Sequence, residues 1–221
     1  RVSVLTDGRI FRNRWIGEND HAALLDALAG DFAKSGYDIK RLVRRILNSR
    51  TYQLSASPNE SNRRDTLNYS RYFMRRLMAE TLTDAIAQAT GVPDKFPGYP
   101  PGTSARQVYS GSSYMLSTFG RLNRDIICER DTQPDIVQTM HLISGDSIQK
   151  KLTASAGVAT KWAAAPAEEV AERLFLRTLS RFPTAKERDA ITQALKDGDK
   201  MAAIQDALWA ILNSKEFLYN H

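Results

Sequence analysis

Cysteine is almost missing from this 221-residue chain: Cys128 stands alone, so no disulfide framework can form within it. Histidine is nearly as scarce. His21, His141 and His221 lie far apart, and none opens an H-x-x-x-H or H-x-x-E pattern, so no metal site of the zinc or di-iron kind is signalled. The attachment string of a c-type haem, C-x-x-C-H, does not occur, and no cofactor is expected in this chain. G-x-G-x-x-G and G-x-x-x-x-G-K-[ST] are absent, which removes the usual phosphate cradles. Ser112 and Ser113 follow Gly111 without forming a G-x-S-x-G elbow. No run approaches the roughly eighteen apolar residues of a membrane span. Sustained apolar–polar alternation, the mark of a half-buried strand, is missing as well.

Charge is plentiful and unevenly placed. The formal net charge is +6 at pH 7. Residues 1–76 hold fifteen Lys or Arg against eight Asp or Glu, whereas residues 77–221 hold sixteen against seventeen. The basic third can attract nucleic acid, an anionic polymer or an acidic partner domain, or it can be a solvated helix face. Nucleic acid is disfavoured, because the positive residues lack interleaved aromatics on the same face.

Apolar residues recur at helical spacing almost throughout. Asn19 or Asp20 can cap a helix carrying Leu24, Leu25, Leu28 and Phe32, with Gly36 as its stop. Asp38 can cap the next, where Ile39, Leu42, Val43, Ile46 and Leu47 follow i, i+3, i+4, i+7, i+8 and predict a buried stripe. Lys40, Arg41, Arg44 and Arg45 fill the opposite side. Residues 53–69 are polar and read as a loop. A long helix is predicted near 70–90, with Phe73, Leu77, Thr81, Ala85 and Ala89 on one track and Arg76 paired to Glu80. Gly91 and Pro93 end it, and a long Pro/Gly-rich connection follows over 91–118. Pro134 suits the first turn of a helix through Ile136, Val137, Met140 and Ile143. Pro166 opens another, Thr184-x-x-Glu187 is a capping box, and Asp197–Gly198 breaks the helix that it starts.

Two segments echo each other at an offset of 165 residues. Residues 38–52 read DIKRLVRRILNSRTY and residues 203–217 read AIQDALWAILNSKEF. Ile39, Ile46, Leu47, Asn48 and Ser49 match Ile204, Ile211, Leu212, Asn213 and Ser214 in type, and Tyr52 faces Phe217. Both segments read as the second helix of a hairpin, ending in Asn-Ser where those side chains bond their own backbone. The alternative is chance similarity between amphipathic helices; the shared I-L-N-S tract favours two related helix pairs. The sequence therefore predicts an all-α fold, an irregular multi-helix bundle with a long Pro/Gly-rich loop and two similar helical hairpins. Residues 1–20 are expected to be the remnant of an upstream linker or domain, and 21–221 a single helical domain.

Five stretches carry a family resemblance: HAALLDALAGDFAKSGYDIKRLVRRILNSRTYQLS (21–55), NYSRYFMRRLMAETLTDAIAQATG (68–91), FGRLNRDIICERDTQPDIVQTMHLISGDSIQKKL (119–152), LFLRTLSRFPTAKE (174–187) and ALWAILNSKEFLYN (207–220). Together they resemble the planctomycete-type domain of unknown function 1553, found at the C-terminal end of large exported bacterial proteins. The resemblance implies an upstream domain of the same polypeptide as partner, often with a cytochrome-c-like domain carrying haem, and a periplasmic or cell-envelope setting. It implies no established activity. The family commonly has Asn where this chain has Ser144, which would alter any polar site built on that position.

The best polar cluster is Arg121, Arg124, Asp125, Cys128, Glu129 and Arg130. With Tyr109, Tyr114 and His141 it is a candidate ligand pocket, since guanidiniums offer forked donors to a carboxylate or sulfate and tyrosines offer stacking faces. Cys128 among arginines could act as a thiolate if His141 were its base. The bland reading is an Arg–carboxylate network pinning an irregular segment. Two functional readings result. The first is a non-catalytic helical accessory or interaction domain, with Lys40, Arg41, Arg44 and Arg45 as candidate partner contacts. The second is part of an enzyme acting on carbohydrate or coupled to a haem electron-transfer partner, with its pocket around residues 109–141.

Overall fold

Local capping signals place the first two helices. The Ala22–Lys34 helix ends at Gly36, whose φ of 70° is the left-handed conformation that glycine adopts without strain. Asp38 then caps the Ile39–Leu47 helix, its carboxylate accepting from the Arg41 N–H at 3.1 Å. The computed structural model describes residues 22–65, 69–108, 113–120 and 136–220, and its contacts divide the chain after Phe73 into two compact units.

In the first unit these two helices form a hairpin. Phe32 is buried and meets the Tyr37 ring edge-on at 5.5 Å. Arg45 donates to Asp31 at 2.8 Å, and Arg41 lies 3.6 Å from the same carboxylate. The polar stretch that follows is the expected loop: Asn59 and Asn62 accept from each other's backbone N–H at 2.9 and 2.7 Å, as turn asparagines do.

The second unit is helical around one apolar core. Ala79–Thr90 buries Leu82 and Ile86 fully, and its buried Thr83 and Thr90 hydroxyls donate back to Ala79 and Ile86 carbonyls at 2.7 and 2.8 Å. It packs against Ala167–Leu179, which Pro166 precedes, and against Lys200–Leu212. Leu174, Ile204, Leu208 and Leu212 complete the centre, each side chain contributing about 1.5–3 kcal/mol by leaving water. Ala185–Asp197 begins with the predicted capping box, Thr184 and Glu187 serving each other's backbone N–H. Arg181 ties that start to the chain's end, making paired hydrogen bonds to both Glu187 and Glu216 while its guanidinium covers the Phe175 ring at 5.0 Å. Buried Lys151 donates to the Val92 carbonyl at 2.7 Å and pairs with Asp94 at 3.0 Å, fixing the chain just past Gly91.

The fold class is thus all-α; among the described residues the only sheet is a two-stranded scrap, Arg75–Arg76 against Tyr219–Asn220. That scrap corrects one expectation. The long helix predicted near 70–90 begins only at Ala79, because residues 75–77 are extended and bond to residues 218–220 instead. Arg76 consequently lies off the helix, with its guanidinium 5.8 Å from the Phe119 ring and donating to the Phe119 carbonyl at 3.4 Å. Within the 91–118 connection the structure holds two short helical pieces, Ala105–Gln107 capped by Asp84 and Ser104, and Tyr114–Thr118.

Candidate functional site

His141 lies on the Ile136–Ser144 helix and is 6% exposed. A sharp break brings the next helix, Asp146–Leu152, back beside it: the Gly145 N–H donates to the His141 carbonyl at 2.8 Å. Only glycine fits at that break, since a Cβ there would stand 2.3 Å from the His141 carbonyl oxygen and 2.8 Å from its Nδ1. The turn sets Ser147 Oγ 3.0 Å from His141 Nε2. The Tyr114 ring meets the imidazole edge-on at 5.0 Å and the Phe119 ring does so at 5.9 Å. Burial holds the His141 pKa below its usual 6.5, so the ring is neutral at physiological pH.

The structure therefore brings Tyr114 and His141 together, whereas the pocket hypothesis requires the 121–130 cluster to join them. Arg121, Arg124, Asp125, Cys128, Glu129, Arg130 and Tyr109 lie outside the described residues. Ser147 was invisible in the sequence, because its approach depends on the break at Gly145 and on no local motif. Among the described residues no carboxylate touches His141 to orient it as the acid of a hydrolytic triad would. Ser144 closes its own helix, donating to the Met140 carbonyl at 3.1 Å. No group of metal-ligating side chains occurs among the described residues. A groove of about 420 Å³ between Ala185–Asp197 and Lys200–Leu212 is floored by Ala194, Ala203 and Ala207 and carries no nucleophile or general base beyond Asp199 and Asp206.

The hairpin of the first unit presents a different kind of site. At about 100° per residue, Ile39, Leu42, Val43, Ile46 and Leu47 fill an arc of roughly 140° on their helix. The expectation that this stripe is buried is overturned: Ile39 is 67% exposed, Val43 46%, Leu47 42% and Ile46 39%. Tyr37, Tyr52 and Leu54 are exposed beside it. Asp31 explains part of the arrangement, because it draws Arg41 and Arg45 to the Leu42 edge of the stripe, where Leu42 alone is half-covered. Lys40 and Arg44 line the other edge, and neither makes an ion pair or side-chain hydrogen bond among the described residues. All four proposed basic contacts are exposed. No helix in the described structure is long and apolar enough to cross a membrane.

The two I-L-N-S tracts have one conformation. Asn48 and Asn213 stop their helices with φ of −86° and −90°. The Ser49 and Ser214 hydroxyls accept from the Tyr52 and Phe217 N–H groups, each at 3.2 Å. In the comparison with known proteins, a family model described as "Protein of unknown function (DUF1553)" matches residues 17–195, which takes in the first four stretches quoted above and not the fifth, 207–220. No curated protein matches the chain, and no solved structure does.

Proposed function

Since the chain belongs to the DUF1553 family, we propose that it serves as a helical interaction domain of a multidomain bacterial envelope protein, packing on a neighbouring domain of the same polypeptide through the hairpin of residues 22–54. The observation that carries this reading is the outward apolar stripe of Ile39, Val43, Ile46 and Leu47 on a nine-residue helix with no buried residue. Scattered exposed apolar residues are ordinary, but a contiguous stripe rimmed by charge is the anatomy of a protein contact. The resemblance supplies the upstream domain as the neighbour, and the envelope location and the cytochrome-c-like partner rest on it as well. Amide exchange tests the contact. In a polypeptide that carries the upstream domain, residues 39–54 should exchange at least tenfold more slowly than in the 221-residue chain, and equal rates would refute the proposal.

One observation speaks for a second reading, an enzyme part with its pocket around residues 109–141: Tyr114 stands against His141. The same imidazole is enclosed by Tyr114, Phe119 and Ser147, which weighs against a catalytic base open to substrate. Solvent-accessible ligand binding that Tyr114→Ala and His141→Leu both abolish would restore it.

A further inference from the structure

The echo between the hairpins says what belongs on the exposed stripe. The positions matching Ile39, Val43, Ile46, Leu47 and Tyr52 are Ile204, Leu208, Ile211, Leu212 and Phe217. Those five are 0%, 1%, 8%, 1% and 5% exposed. Their cover is protein, and it is helical: Lys200–Leu212 packs against Val158–Trp162, Ala167–Leu179 and Ala185–Asp197. The same pattern, with the same Asn-Ser stop and the same serine bond to the following aromatic's N–H, is therefore a face that receives helices.

Charge narrows the partner. On the Leu42 edge Asp31 offsets one of the two charges of Arg41 and Arg45 and holds both guanidiniums to itself. The Leu47 edge carries Lys40 and Arg44 without a counter-charge among the described residues. A partner lying along the stripe brings its own flank beside those cations. We propose that this face binds an amphipathic α-helix of another protein segment, one whose apolar stripe is bordered by Asp or Glu along the side that meets Lys40 and Arg44. The inference rests on the interaction reading above and specifies its partner. An anionic lipid surface also suits a basic amphipathic helix. The buried precedent at residues 204–217 favours protein, because that copy of the face is covered by side chains of helices.

The test uses the full 221-residue chain and two helix-stapled peptides with one leucine stripe, one flanked by Glu and the other by Lys. Fluorescence anisotropy gives affinities, and amide exchange at 39–47 locates the site. The Glu peptide should bind at least tenfold more tightly than the Lys peptide and protect 39–47. Lys40→Glu with Arg44→Glu should invert that order, and Val43→Asp should abolish binding of both. Equal affinity of the two peptides, or an order unchanged in the charge-reversed variant, would overturn the proposal. So would binding to phosphatidylglycerol vesicles with neither peptide bound. Protection of 39–47 by the natural upstream polypeptide, with neither peptide bound, would sink the acidic-helix inference while leaving the interaction reading intact. Absence of both effects would sink both.

Discussion

Ile39 and Ile204 are the same side chain at the same place in an echoed motif, and truncating each to alanine should have very different consequences. Ile204 is 0% exposed, so Ile204→Ala removes three carbons from the core, about 2.4 kcal/mol of transfer free energy at about 0.8 kcal/mol each. The space left, roughly 70 Å³ before relaxation, adds about 1–2 kcal/mol at about 24 cal/mol per Å³. The expected loss is about 3–4 kcal/mol. Ile39 is 67% exposed, so only about a third of the transfer term is at stake and no enclosed cavity forms, and Ile39→Ala should cost less than about 1 kcal/mol. Urea unfolding of the whole chain in a Trp15→Phe background, followed by fluorescence of the half-buried Trp162 and Trp209, reports on the second unit. Amide exchange at residues 42–47 reports on the first. A loss above about 2 kcal/mol for Ile39→Ala, or below about 1 kcal/mol for Ile204→Ala, would refute the distinction between a covered and an uncovered copy.

Three other perturbations bear on the second unit. Lys151→Met leaves Asp94 and the Val92 carbonyl without their partner in a mostly dry site, and should lower the unfolding free energy by about 2–4 kcal/mol; an unchanged urea midpoint would contradict that pairing. Hydrogen bonds from Arg181 hold the Glu187 carboxyl down to about 2 from its usual 4.5. The unfolded chain then takes up that proton first, so the clamp contributes above about pH 4.5 and fades as pH falls toward 2. With the carboxylate about a third exposed, the effect discounts to about 1 kcal/mol, and Glu187→Gln should flatten the acid limb of stability over that window. The His141 pKa is depressed by burial, so the stability linked to its neutral ring is present above about pH 6.5 and lost on acidification below it. His141→Leu should remove that step from a pH titration of thermal stability, and a step that survives the substitution would assign it elsewhere.

What the sequence made legible was local. Gly36, Asp38, Gly91, Pro166 and the Thr184–Glu187 box mark helix ends through bonds that span at most a few residues, and each end lies where its signal placed it. The apolar track from Phe73 to Leu77 misled because extended residues there bond to Tyr219 and Asn220, and no local periodicity records a partner so distant. Periodicity also says which side of a helix is greasy and not what stands opposite. Ile39 and Ile204 carry the same spacing, yet only one is enclosed. At the candidate site, Tyr114 meets His141 across 27 positions of sequence, and Ser147 reaches the imidazole through a backbone reversal that only the close approach at Gly145 permits, neither of which a local motif records. The arginines and the lone cysteine proposed beside them lie outside the described residues.

The small antiparallel ladder at Arg75–Arg76 also bears on the order of assembly. Its bonds join groups 145 residues apart in the chain. Closing a loop of that length from an unfolded coil costs about 4 kcal/mol, more than two residue pairs return. The ladder must therefore form late, once helix packing has already drawn those ends together. During synthesis the second unit stays unfinished until residues 219–220 have left the ribosome. A chain stalled before that point would keep its helices and lack the clasp that completes them.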